Sequence, residues 1–592
     1  MKTAFYDRMN RECPLSGHPD PYWQRDHYQN LDGWWDFAIT QSEAIPLDYP
    51  ERILVPFAPE TEASGIFRSI SFFDRLHYRR SVDVPPQFVG KPALLRFMAV
   101  DQEAQIYVDG ELFATHRGGY LPFTVYIDKV KAHFVLEVVV KDDTASPLYA
   151  RGKQSNRPRG IWYTPTSGIW QEVYLEYLPS ANFIDHAHIY GDYDRKSFVI
   201  DACFAGDKEG AEVEVYDKNT LVGKTSFDAK GHAEITLADS AFHPWSHEDP
   251  HLYTLLFRNH GDLVRSQGAF RKIESVVAGD SRFLFINHKP CFLSAPLDQG
   301  YWPESGLTPP SLEAMEFDLR YLLSCGFNAV RKHIKVELRR YYALCDALGI
   351  YVMQDIVNGG APYRPFLIAL APLLPLKVKD HGTAKLGRGN PQSRAQFLAE
   401  LEGTVKALGS IPSIVSWTLF NEGWGQFDAV ENTKKLRALD ATRLIDSTSG
   451  WYDKGVGDFV SRHIYFRPVR LKPDADRLLS LSEFGGYSLP LSGHRWSKKN
   501  FGYKRFSSLT KWQDAVIKLY QKQILPAIQK AHLSVAVFTQ LTDVEQETNG
   551  LLTYDRAIAK MNPDDLKKVN EDLQQAYQEA TKLHLSDTHD EK

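Results

Sequence analysis

From residue 276 onward, short apolar runs alternate with amphipathic ones, and the apolar runs number eight. They are CFLSAPLDQ (291–299), NAVRKHI (328–334), YVMQDIV (351–357), SIVSWTLFNE (413–422), RLIDSTSG (443–450), DFVSRHIY (458–465), LSLSEFGG (479–486) and LSVAVFTQLTD (533–543). Each has the length of a buried strand rather than of a helix. Between them, SLEAMEFDLRYLLSCG (311–326) and ELRRYYALCDALG (337–349) carry helical periodicity and end on Gly326 and Gly349, as helix C-caps do. Eight strands with helical or loop connections predict a (β/α)8 TIM barrel over 276–592. The segment 358–400 is longer than an ordinary connection and is expected to pass over the barrel mouth.

The first 180 residues have a different grammar. ALLRFMAV, AQIYVDGELFATH, FVLEVVVKDD and QEVYLEYL are short, partly alternating and bounded by Gly, Asp and Pro. Asp109-Gly110 between two such runs is a tight-hairpin signal. The expectation over 1–180 is a jelly-roll β-sandwich. Over 181–275 the same style recurs on a smaller scale, spaced like a seven-strand immunoglobulin-like β-sandwich, with HPWSHEDPHLY (243–253) as a polar crossing between sheets. The tail from Asp564 reads as a closing amphipathic helix followed by a frayed acidic terminus.

At 592 residues the chain is too long for one core. A net charge of −5 gives no reason to expect nucleic acid or an anionic membrane as partner. FLIALAPLLPL (366–376) is too short to span a bilayer and contains two prolines. The N-terminus lacks an apolar signal core, and Cys13, Cys203, Cys291, Cys325 and Cys345 lack metal-like spacing. A cytoplasmic protein with reduced thiols is expected. Aromatic content of 12% suits sandwich cores and also sugar sites, where a pyranose C–H face stacks on a ring. No His, Asp or Glu spacing argues for a metal and no cofactor is implied; homo-oligomerisation is left open.

In such a barrel the C-terminal strand ends open into one bowl. Here they supply Asp298, His333, Asp355, Asn421 with Glu422, Asp446, His463 with Tyr465, Glu483, and Gln540 with Asp543. Acids gather where a structural rim would use Gly, Ser and Thr. Glu422 ends the fourth strand and Glu483 the seventh, so both carboxylates can address one volume. Glycoside hydrolysis needs that pair, about 5–5.5 Å apart in the retaining case, with repulsion keeping one acid protonated. Taken singly, each Glu is an ordinary strand-end residue.

SWTLFNEGWGQFD (416–428) and LSLSEFGGYSL (479–489) resemble the acid/base and nucleophile motifs of glycoside hydrolase family 2, which includes β-galactosidases, β-glucuronidases and β-mannosidases. YQNLDGWWDF (28–37), HRGGYLPFTVYI (116–127), IWYTPTSGIWQEVYLE (161–176), LDQGYWPESGLTPP (297–310), GFNAVRKHIKVE (326–337) and QLTDVEQETNGLLTYD (540–555) extend the resemblance along the chain. It implies Glu422 as general acid/base, Glu483 as nucleophile, and Asn421 on the sugar 2-hydroxyl. It further implies that Tyr465 and Arg331 hold Glu483 and that His333 touches the sugar. The bland alternatives are a packing tyrosine, and a buried Arg and His among structural carboxylates. Asp298 and Asp355 bind sugar hydroxyls or pair with Arg331 and Lys332. His463 and Gln540 are rim contacts, and Trp451 and Trp424 are candidate stacking platforms, although a barrel-mouth Trp is as often packing. Where relatives end the eighth strand on Trp, this chain offers Phe538 and Gln540.

The implied activity is a retaining exo-β-glycosidase acting on an oligosaccharide or glycoside, β-galactosidase-like by default. A uronidase would need a cationic reader such as Lys498, Lys499 or Lys504, although SKKNFGYK lacks the Asn-x-Lys spacing associated with glucuronidases. An α-L-arabinopyranosidase shares the ring configuration of galactose. A non-catalytic carbohydrate-binding protein is the alternative of a different class.

Overall fold

The computed structural model describes residues 1–362, 367, 378–381 and 384–590, with side chains to 585. The expected apolar run 366–376 and the centre of the 358–400 excursion lie outside the described residues. The flank of that excursion is the helix Pro391–Leu408, whose Asn390 side chain accepts from Gln392 N.

The N-terminal unit is a sandwich of a six-stranded and a four-stranded antiparallel sheet. Glu103–Val108 and Glu111–Arg117 form the hairpin expected at Asp109-Gly110, with φ of 51° and 78° at those two residues. Left-handed backbone at both positions is what a two-residue turn matching strand twist requires. Trp35, Phe37, Tyr78, Phe97, Ile106 and Leu136 fill the space between its sheets. Seven strands between Phe183 and Gly268 then form sheets of three and four, the immunoglobulin-like unit.

A three-stranded hairpin unit, Ile273–Ala278, Ser281–Ile286 and Lys289–Pro290, leads into the barrel. The barrel strands are β1 (Leu293–Asp298), β2 (Ala329–Lys332), β3 (Tyr351–Asp355), β4 (Ile414–Asn421), β5 (Leu444–Ser449), β6 (Phe459–Ile464), β7 (Leu478–Gly485) and β8 (Leu533–Thr539). All pairings are parallel, in the order β5-β4-β3-β2-β1-β8-β7-β6. The ladder is open only between β5 and β6, which are joined by a loop without a helix. Ser311 caps the first barrel helix by accepting from Ala314 N at 3.1 Å, and Gly326 (φ 75°) ends it. The helix Pro563–Asp590 closes the barrel, with Tyr577 OH donated to by Leu284 N and Asn570 by Ser294 Oγ.

The three units meet at Asp346, buried on the barrel helix Arg339–Leu348. Its carboxylate accepts from Tyr22 OH (2.6 Å), Gln267 Nε2 (3.0 Å) and Ser413 N (2.9 Å), and its carbonyl accepts from Trp245 Nε1 (2.7 Å). Burial pushes this carboxyl up to about 6. Asp346→Ala strands three buried donors, and the expected loss is about 2–3 kcal/mol. A urea melt should show it as a lower midpoint, and an unchanged midpoint would remove Asp346 as the junction.

Candidate active site

β4 ends by breaking the alternation of its own side chains. In a straight strand, Asn421 and Glu422 would point to opposite faces. Glu422 takes φ of 52°, so its side chain and that of Asn421 both enter the bowl, while its N–H donates to Ser449 O at 2.9 Å. A non-glycine residue in the left-handed region costs about 1–3 kcal/mol, which surrounding contacts must offset. Gly423 and Gly425, also at positive φ, complete the turn.

Glu422 and Glu483 are 8% and 5% exposed, and one carboxylate oxygen of each lies within 4.8 Å of the other and of a ring nitrogen of His463. His463 stands between them, with Nδ1 bonded to Glu422 Oε1 at 2.8 Å and Nε2 at 3.6 Å from Glu483 Oε1. Tyr465 OH donates to Glu483 Oε2. Arg331 Nη1 reaches Glu483 Oε1 at 3.3 Å and Ser482 O at 2.9 Å. Burial alone would raise the Glu483 carboxyl; His463, Arg331, His333 and Lys153 overcome it and hold the group at about 2.

Arg331 also makes a fork on Asp355, with both N···O distances 3.0 Å, and donates to Asn421 Oδ1 at 2.8 Å. That contact orients the Asn421 amide, whose Nδ2 is buried without a partner and is free for a ligand oxygen. His333 Nδ1 bonds Asp355 Oδ2 at 2.8 Å, and burial keeps this imidazole below its ordinary range. The Trp451 indole N–H is likewise buried without a partner, 6.2 Å between ring centres from His463.

Of the two alternatives for Asp298 the structure takes the ion pair: it binds Lys332 Nζ (2.6 Å) and Tyr341 OH (3.1 Å), because Lys332 alternates away from Arg331 along β2. Two further expectations are corrected. Gln540 offers no free amide, since Oε1 accepts from Gln299 and Nε2 donates to Asn549. Trp424 is no bare platform; Trp162 stacks on it at 4.9 Å and Lys153 Nζ lies 4.4 Å from its ring centre. Phe538 packs with Phe484 and Tyr520 in the core instead of flooring the bowl. Asp446 lies below the site, accepting from Ser461 Oγ at 2.6 Å, and burial pushes it up to about 6. Asp543 pairs with Lys560.

Sequence reasoning did not find Lys153, Trp162 and Tyr503. The first two come from the N-terminal sandwich, outside the barrel strands, and Tyr503 stacks on Tyr465 at 3.7 Å from the loop after β7. Among the described residues, three clusters could offer a metal three ligands: Glu422/His463/Glu483, Asp217/His243/His251 and Asp280/His532/His584.

Fold and site define a multidomain protein whose (β/α)8 barrel buries a close pair of acids at its C-terminal mouth. Residues 281–476 match the family model described as glycosyl hydrolases family 2, TIM barrel domain. The chain is similar to the β-galactosidase large subunit of Lactobacillus helveticus, 23% identical over 71% of this chain and 64% of that protein. It is also similar to a β-glucuronidase of Streptococcus agalactiae, 24% identical over 66% of each. The chain spans 64%, 49% and 36% of three β-galactosidases it matches. The fold is shared with the β-D-glucuronidase of Dictyoglomus thermophilum, TM-score 0.72 at 17% identity, over 94% of this chain and 98% of that one. A β-galacturonidase of Eisenbergiella tayi, bound to galacturonate, gives 0.69 at 17% identity over 95% and 99%. No helix among the described residues is long and apolar enough to cross a membrane.

Arg331→Met leaves Asp355 and Glu483 buried without their shared cation, and breaking such a pair costs about 3–5 kcal/mol. Thermal melts should show a large drop that Arg331→Lys only partly restores, because an ammonium cannot make the fork. Equal melts for all three proteins would show that the fork carries no stability.

Proposed function

We propose that the chain is a retaining exo-β-glycosidase, with Glu422 as acid/base and Glu483 as nucleophile. The observation that carries this is the approach of the two carboxylates to within 4.8 Å on β4 and β7. A pair this close matches the about 5–5.5 Å of retention rather than the about 6.5–9.5 Å that inversion uses to seat a water between base and anomeric carbon.

Glu483, held ionised and aimed by Arg331 and Tyr465, attacks the anomeric carbon. The glycosidic C–O bond breaks, an ester bond forms, and the Glu422 proton goes to the leaving oxygen. Water then attacks the same carbon, gives its proton to Glu422 and releases Glu483. Asn421 Nδ2 is the donor for the sugar 2-hydroxyl, a contact that strengthens as positive charge grows on the ring. His463 keeps Glu422 turned toward the shared volume. Asp355, with Arg331 and His333, supports the same face.

The sugar is β-galactosidase-like on the sequence resemblance. A uronic acid is the second reading, favoured by one observation. A groove of about 720 Å³ beside Trp162 and Phe501 is lined by Arg159, Lys498, Lys499 and Arg505, with no acid among its lining residues. These cations suit a carboxylated sugar or an anionic aglycone.

A nitrophenyl panel of galactoside, glucuronide, mannoside and arabinoside should identify the substrate, and no release from any would leave only carbohydrate binding. Glu483→Ala should abolish turnover, and azide should restore it with a glycosyl azide of inverted anomeric configuration. Glu422→Gln should slow poor leaving groups far more than activated ones, because only the former need the proton. Equal slowing of both would take the acid role from Glu422.

A further inference from the structure

Far from the carboxylate pair, the immunoglobulin-like unit holds a second constellation. Asp217 ends the strand Glu212–Asp217, and His243 and His251 bracket the crossing HPWSHEDPH. Asp217 Oδ2 is 3.3 Å from His243 Nδ1, and Asp217 Oδ1 is 3.3 Å from His251 Nε2. One donor atom from each residue lies within 4.8 Å of the others. Asp217 Oδ1 and His251 Nε2 are buried and have no hydrogen-bond partner. At 3.3 Å the two atoms make an ion-pair contact without hydrogen-bond geometry, an arrangement that a cation bound by both would satisfy.

A tetrahedral ion with ligands at about 2.0–2.2 Å separates neighbouring ligand atoms by about 3.3–3.6 Å. Each histidine stands at 3.3 Å from a carboxylate oxygen of Asp217, His243 from Oδ2 and His251 from Oδ1, so the carboxylate spans the two rings. Two imidazoles and one carboxylate suit a borderline ion; Ca²⁺ and Mg²⁺ take oxygen ligands. His243 is 47% exposed, so water can reach a fourth position.

The geometry points to a divalent transition-metal site of the Zn²⁺ class at Asp217, His243 and His251. Its role is structural. Between its two histidines the crossing docks on the barrel: Trp245 Nε1 donates to Asp346 O, and His247 bonds Gly349 O at 2.8 Å and Tyr351 OH at 3.2 Å. Those partners lie at the end of the helix Arg339–Leu348 and the start of β3, at the end of the barrel opposite the acids. An ion held by both ends of the crossing and by the adjacent strand would fix the shape of the segment that joins the two units.

The test is metal content of the full chain after chelator treatment and equilibrium dialysis against Zn²⁺, repeated with Co²⁺ for its visible bands. Asp217→Asn and His243→Gln, each checked for native circular dichroism, should lose one full equivalent and the four-coordinate Co²⁺ spectrum. Glu422→Gln and His584→Gln, which disable the other two clusters, should keep that equivalent. Chelator should lower the Tm of the parent and leave that of Asp217→Asn unmoved. Equal metal uptake by parent and Asp217→Asn, or no uptake by either, would overturn the site.

Discussion

One buried guanidinium organises the mouth of the barrel. Arg331, on β2, joins Asp355 on β3, Asn421 on β4, and Ser482 and Glu483 on β7. Burying a cation of this size is unfavourable in isolation, and only near-complete pairing makes it tolerable. The pairing is near-complete here, and the guanidinium is held above its ordinary range: burial opposes charge, but Asp355 and Glu483 more than compensate. Its planar fork fixes directions as well as charge. The orientation of the Asn421 amide and of one Glu483 oxygen follows from it.

The site is not the property of the barrel alone. Lys153 lies against Trp424 and contributes to the field that keeps Glu483 ionised. Trp162 covers the ring of Trp424, and Tyr163 OH donates to Glu547, whose carboxyl burial pushes up to about 7. Thr164 N adds a bond to Glu545 at 2.7 Å. Residues 153–164 of the sandwich thus form one wall of the bowl. The wall depends on domain docking, to which the buried polar junction at Asp346 contributes.

The barrel was legible because its strands are short, apolar and bounded by capped helices, so period and punctuation agree. Glu422 and Glu483 were legible because strand ends of such a barrel share one volume. What sequence could not carry was side-chain direction. Asp298 and Arg331 both sit at strand ends, yet a one-residue difference in register sends Lys332, and Asp298 with it, behind the barrel wall. Gln540 is at the rim but uses both amide atoms on Gln299 and Asn549, partners no local pattern reveals. Asp217 joins His243 and His251 only through sheet topology, and so no spacing announced that cluster.

The same division bears on what sugar the bowl accepts. In the proposed mechanism the barrel strand ends fix where the anomeric carbon is attacked, and nothing in Arg331, Asn421 or the acid pair distinguishes a hydroxymethyl from a carboxylate at the far side of the ring. That distinction belongs to loops, which a fold tolerates in many versions. Here the relevant loops are 153–164 from the sandwich and 497–505 after β7, and they meet across the groove that holds Arg159, Lys498, Lys499 and Arg505. Cations in an open groove contribute little to stability because water screens them, so their clustering is not explained by folding. A ligand carboxylate entering that groove would be desolvated against several of them at once, where each contact is worth more. On the proposed reading, selectivity for charge would be set in the seam between the sandwich and the barrel, one layer out from the acid pair.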